Sequence, residues 1–148
     1  MMDTLDVLEK WNGHLYNWYD IGTLAVTGEP VISSVDSGNL AVSIVTLCEG
    51  MKEYAFEEPA LVGVVQKYEK LLGEMDFSAL YDAERGIFPV VYDVGNGKFS
   101  ESGYDVFMSE ARLTSYYAVA KGQVPAEHYY IPYRRFCAGR GSRGLYSW

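Results

Sequence analysis

Apolar residues recur at helical spacing in three stretches of the chain. Leu40, Ile44, Leu47, Cys48 and Met51 predict a helix over about 37–53, with Asp36 or Ser37 placed to cap its first turn through a side-chain oxygen. Leu61, Val65, Tyr68 and Leu72 predict a second over about 58–73, with Pro59 in its first turn and Gly73 at its end. The stretch 104–121 has the same period and stops at Gly122, and Pro125 opens a shorter segment of about 125–132. At the N-terminus, Leu5, Val7, Leu8 and Trp11 read as the end of a helix that stops at Asn12-Gly13.

The period changes between Ile87 and Phe99. Phe88, Val90, Val91, Tyr92 and Val94 are β-formers, and Gly95-Asn96-Gly97 supplies residues that reach positive φ, so a small hairpin inserted between helices is expected. Two stretches have neither period and read as loops: 14–39 and 138–144. The second is rich in glycine and arginine, but no strand is expected before it and no Lys-Ser/Thr pair follows, so it does not match a phosphate-binding fingerprint. Arg135, Arg140 and Arg143 would line a groove there or simply be solvated. The expected fold class is mainly α, with antiparallel helices and one small β-hairpin, in a single domain over 1–148.

Composition narrows the function more than the fold. At 148 residues, 49% hydrophobic and 15% aromatic, the chain has ample material for one core. Its net charge of −8 argues against a nucleic-acid partner or an anionic membrane surface, either of which requires a basic patch. No apolar run approaches the roughly 18 residues of a membrane span, and the N-terminus lacks the basic and apolar segments of a signal peptide, which predicts a cytoplasmic protein. Cys48 and Cys137 lie in unrelated contexts, and His14 and His128 lack a second ligand at metal spacing, so neither a disulfide framework, a metal site nor any other cofactor is expected.

The loop at 14–39 carries two polar-aromatic clusters, 14–20 (His-Leu-Tyr-Asn-Trp-Tyr-Asp) and 35–39 (Val-Asp-Ser-Gly-Asn). Flat rings suit the C–H faces of a pyranose while Asp and Asn suit its hydroxyls, which points to a carbohydrate surface. The same Tyr16, Trp18 and Tyr19 would equally fill the top of a core.

Five motifs occur in order: Tyr-Asn-Trp-Tyr-Asp at 16–20, Ser-Val-Asp-Ser-Gly-Asn-Leu-Ala at 34–41, Met-Asp-Phe-x-x-Leu-Tyr-Asp at 75–82, Ser-Glu-Ala-Arg-Leu at 109–113 and Ala-Lys-Gly-x-Val-Pro-x-Glu-His at 120–128. Together, over about residues 9–148, they resemble the central glycosidase-like region of cyclic β-1,2-glucan synthases, itself similar to the glucoamylase-like (α/α)6-barrel hydrolases of β-1,2-glucans. The resemblance implies a partial (α/α)6 toroid, the N-terminal part of an incomplete helical domain. It also implies glycoside hydrolase or transglycosylase chemistry on β-1,2-glucan or its oligosaccharides. The remainder of the barrel, or a second copy of the chain, would then be needed to cover the apolar stripes of the first two long helices.

Glycosidic chemistry needs two carboxyl groups. On a helix over 104–121, Glu110 would share a face with Phe107, Leu113 and Tyr117, with Asp105, Ser109 and Arg112 on the other side. That places its carboxyl at the interior or a cavity mouth, where desolvation favours proton transfer, although an ion pair with Arg135 would be a structural alternative. The resemblance implies that Glu110 is one of two catalytic carboxylates, with the second beyond the segment that coincides here with Ser147-Trp148. Asp105 and Glu127 also read as ordinary first-turn charges. The candidate substrate-binding residues are Tyr16, Trp18, Asp20, Asp36, Asn39, Tyr104 and Arg112. The competing readings are a glucan-binding remnant without chemistry and an all-α interaction module.

Overall fold

A computed structural model describes residues 2–104, 110–130, 136–139 and 142–145. The architecture is α+β. Strand β1 (Lys10–Trp11) pairs with β2 (His14–Leu15) around Asn12-Gly13, both at positive φ. A four-stranded antiparallel sheet follows, in the order β3 (Asn17–Tyr19), β4 (Val26–Ser33), β5 (Val91–Asp93) and β6 (Lys98–Phe99). A third ladder joins β7 (Phe136–Gly139) to β8 (Ser142–Leu145). Helices are α1 (Met2–Val7), α2 (Ser34–Tyr54), α3 (Ala60–Glu74), α4 (Arg112–Ala120) and α5 (Glu127–Tyr130), with a 3-10 turn at Phe77–Leu80.

This corrects the expectation of a mainly α partial toroid with one hairpin. A toroid is a ring of antiparallel helix pairs, whereas only α2, α3 and α4 exceed two turns among the described residues, and three antiparallel sheets accompany them. The hairpin expected around Gly95-Asn96-Gly97 exists, but as the outer half of a larger sheet. Its inner half is β3 and β4, which lie in the stretch read as loop. Gly28 and Pro30 interrupt the alternation of β4, and its partner β5 comes some 60 residues later, with Ile32 opposite Tyr92. No local period betrays a strand specified by so distant a neighbour. In the glycine-rich stretch read as loop, residues 138–139 and 142–144 likewise pair in the β7–β8 ladder.

Helix α2 begins three residues earlier than its apolar period suggests. Ser33 is its N-cap, the hydroxyl accepting from the Asp36 backbone N–H at 3.2 Å, so neither Asp36 nor Ser37 is the cap. Its buried face runs through Ser34, Ser37, Gly38, Ala41, Ile44 and Cys48, while Leu47 is exposed. Small residues dominate the N-terminal half because α4 crosses there: a Cβ on Gly38 would stand 2.6 Å from the Thr114 Cα. Helix α3 follows expectation closely, with Pro59 as its N-cap and Val65, Tyr68 and Leu72 buried.

The core gathers Ile32 from β4, Ala41, Ile44 and Cys48 from α2, Val65, Tyr68 and Leu72 from α3, and Met75, Phe77, Leu80 and Phe88 from the connection. The β1–β2 hairpin closes the C-terminal end of α3. Asn12 O accepts from Asp76 N–H, and Gly13 lies so close to Met75 that a Cβ there would stand 2.6 Å from its nitrogen. Lys121 Nζ donates to the Leu72 carbonyl at 2.7 Å, and the Gln123 amide bridges Met75 O and Phe77 N–H. The last turn of α3 therefore finds partners for its orphan carbonyls in segments far along the chain. Among the described residues, no helix is long and apolar enough to cross a membrane.

Candidate functional site

A cleft of about 290 Å³ opens where β3 meets the first turns of α2. It is lined by Leu15, Tyr16, Asn17, Trp18, Asp36, Ser37 and Leu40. The two clusters, separate in sequence, thus both line it, residues 15–18 from the first and Asp36 and Ser37 from the second. Tyr16 is buried and belongs to both core and cleft, its ring edge-to-face with Tyr19 at 6.4 Å between centroids. Tyr19 turns inward, donating from its hydroxyl to the Glu9 carbonyl. Trp18 does the opposite: it is 72% exposed, a large apolar face held at the cleft mouth. The peptide joining Asn17 to Trp18 is cis.

Asp36 is exposed on the first turn of α2, and with Ser33 serving as cap its carboxylate is released from that role. It accepts instead from Asn17 Nδ2, at 2.9 Å. Tyr104 stands near enough that the charges of Glu110 and Asp36 both act on its phenol. Burial is the largest cause lifting the Tyr104 pKa above its ordinary value, followed by the Glu110 and then the Asp36 charge. Tyr104 is itself placed by β-type pairing, its N–H donating to Phe88 O at 2.9 Å. Residues 36, 104 and 110 therefore belong to one electrostatic neighbourhood.

Glu110 occupies a different setting from the one its helical spacing implies. Helix α4 begins at Arg112, and Glu110 lies exposed in the turn before it. Leu113, expected on a shared buried face, is 44% exposed, and the inward residues of α4 are Thr114, Ser115 and Ala118. Period alone misassigned the face because Tyr116, Tyr117 and Leu113 are apolar on several sides, whereas two hydroxyl residues are the ones packed inward. Phe107, Asp105, Ser109, Arg135 and Arg140, together with Ser147-Trp148, lie outside the described residues.

The remaining candidates scatter. Asp20 holds its own turn: its Oδ1 accepts from Gly22 N–H, Thr23 N–H and the Thr23 hydroxyl, and these bonds, led by Thr23 N–H, draw its pKa below the ordinary carboxylate value. Asn39 is exposed on α2 and Arg112 is exposed at the start of α4, and neither lines the cleft. Conversely, Asn17, Ser37, Leu15 and Leu40 line it without having been singled out. Asn17 stood inside the first motif, and its neighbour Trp18 was the available signal. Leu40 read as part of a core stripe.

Both histidines are buried. His14 Nε2 donates to Asp76 O at 3.0 Å while its Nδ1 has no hydrogen-bond partner. His128 meets Gly86 O through Nδ1 and the Ser115 hydroxyl through Nε2, at 2.8 Å. Burial is the leading cause that lowers the pKa of each.

No known family profile matches the chain. Among curated proteins, the cyclic beta-(1,2)-glucan synthase NdvB of Rhizobium meliloti (strain 1021) is 34% identical over 141 residues, taking in 87% of this chain and 5% of that protein.

Proposed function

From the premise that this chain is related to a cyclic β-1,2-glucan synthase, of which it spans 5% of the length, we propose that it forms part of a carbohydrate-active unit that binds β-1,2-glucan. The observation that carries the reading is the exposed Trp18 ring beside the Asn17–Asp36 pair in one cleft. An indole face packs against the C–H face of a glucose ring, and the exposed Asp36 carboxyl and the Asn17 carboxamide offer oxygen and nitrogen partners to its hydroxyl groups. A volume of about 290 Å³ suits one to two sugar rings. In this reading Glu110, whose charge acts on the Tyr104 phenol together with that of the cleft residue Asp36, is a carboxylate of a glycoside hydrolase or transglycosylase centre.

A second reading, glucan binding without chemistry, is favoured by the exposure of Glu110 in a turn ahead of α4 rather than on that helix's inward face. Titration of the purified chain with β-1,2-glucooligosaccharides, followed by tryptophan fluorescence and by chromatography of the sugars, separates the two. Saturable binding with new or shortened products supports the catalytic reading, and binding with unchanged sugars supports the second. No binding at millimolar ligand overturns both.

A further inference from the structure

The Asn17 carboxamide is engaged at both ends. Its Oδ1 accepts from the Ser33 backbone N–H at 3.3 Å, and its Nδ2 donates to Asp36 Oδ2 at 2.9 Å. The two partners leave no ambiguity in the amide's orientation, because an N–H requires the oxygen and a carboxylate requires the nitrogen. Ser33 is in turn bonded to Asp36, whose N–H donates to the Ser33 hydroxyl. Residues 17, 33 and 36 thus form a closed ring of hydrogen bonds between β3 and the first turn of α2.

That ring has a consequence for the cleft. Asp36 is exposed, and an exposed aspartate ordinarily samples several rotamers. Here one carboxylate oxygen is held by the residue that precedes Trp18, so the acceptor is tied to the strand that carries the aromatic face. Oδ1 of Asp36 is the oxygen this ring does not use.

We propose that Asn17 is a positioning residue of the glucan cleft, holding Asp36 so that its second carboxylate oxygen meets a sugar hydroxyl while Trp18 covers the ring face. The proposal rests on the glucan-binding reading above. Preorganisation of this kind removes the ordering cost from the binding step, since the acceptor does not have to be fixed when the sugar arrives.

The test uses Asn17→Ala and the nearly isosteric Asn17→Asp. In the second variant Oδ1 still accepts from Ser33 N–H, but a carboxylate replaces the donor that faced Asp36. At about pH 8 two carboxylates at hydrogen-bond distance repel, while at about pH 5 one proton shared between them restores a donor. Affinity for a β-1,2-glucooligosaccharide is measured by tryptophan fluorescence relative to the unmodified chain in the same buffer, with circular dichroism melting of each variant as the folding control.

The expected result is a loss of about tenfold for Asn17→Ala, and for Asn17→Asp at about pH 8, with Asn17→Asp recovering to within about threefold of the unmodified chain at about pH 5. Variants that bind as the unmodified chain does at both pH values overturn the role of Asn17 alone. So does an Asn17→Asp loss that acid does not restore, because a purely structural tie would behave that way. Failure of the unmodified chain to bind at millimolar sugar overturns the glucan reading and this proposal with it.

Discussion

The Thr114 hydroxyl donates to the Ser34 carbonyl oxygen at 2.8 Å, across 80 positions of the chain. Both residues are buried, and the bond sits where α4 crosses the N-terminal half of α2 beside Gly38. Ser34 also donates from its hydroxyl to Pro89 O, so one residue ties together α2, α4 and the segment leading into β5. The charges of Asp36, two residues after Ser34, and Glu110, four before Thr114, both act on Tyr104.

The joint is expected to tolerate little extra volume. Gly38→Ala places a methyl within 2.6 Å of the Thr114 Cα, which forces α4 away from α2, and a destabilisation of about 1–3 kcal/mol is expected from overpacking. Thr114→Val keeps the shape and removes only the bond to Ser34, for a smaller loss of about 0.5–1.5 kcal/mol. Urea titration of both variants checks the order. A Gly38→Ala chain as stable as the parent would show that the crossing relaxes freely.

Trp18→Ala should separate stability from binding. With the side chain 72% exposed, its removal should change the unfolding free energy by no more than about 0.5 kcal/mol. Affinity for β-1,2-glucooligosaccharides should fall about tenfold or more, equivalent to about 1.4 kcal/mol. Calorimetric titration beside thermal melting reads both quantities. A large drop in melting temperature with unchanged sugar affinity would assign Trp18 to packing.

Acid should unfold the chain through its two buried histidines. Burial holds the folded-state pKa of His14 and His128 below the ordinary 6.5, so the unfolded chain binds protons more readily. Their contribution is complete above about pH 6.5 and is lost as pH falls below it, with a slope of up to about 1.4 kcal/mol per pH unit for each histidine. His14 has the weaker provision for a second proton, since its Nδ1 faces no acceptor. Chemical unfolding between about pH 5 and pH 8 should show the slope, and His14→Gln should reduce it. A slope unchanged in that variant would remove His14 from the account.

Glu110→Gln is expected to leave the fold intact, because the residue is exposed in a turn ahead of α4. In a full-length glucan-active relative carrying the same Ser-Glu-Ala-Arg-Leu segment, the equivalent change should lower turnover by about 10²–10⁴-fold if the carboxyl serves in acid–base chemistry. Sugar affinity should stay near the parent value. Turnover unaffected by the change would leave Glu110 as a surface charge.

Read by itself, the sequence determined the elements whose evidence is local. The apolar stripe of α3, the body of α2, the turn at Gly95-Asn96-Gly97, the aromatic, amide and carboxylate cluster at 16–20 and the polar cluster at 35–39 all lie within a dozen residues of their own support. It also carried the relationship to a glucan synthase, because ordered motifs survive without any knowledge of their geometry. Tertiary structure decided the rest. Strands β3 and β4 depend on partners, in part some 60 residues away, so no local period announces them. The inward face of α4 was set by a close crossing at Gly38, which favours Thr114 and Ser115 over the larger apolar residues beside them. And Asp36 became a cleft residue rather than a helix cap because Ser33, the last residue of β4, already supplied the cap and Asn17 stood across from the carboxylate thus released.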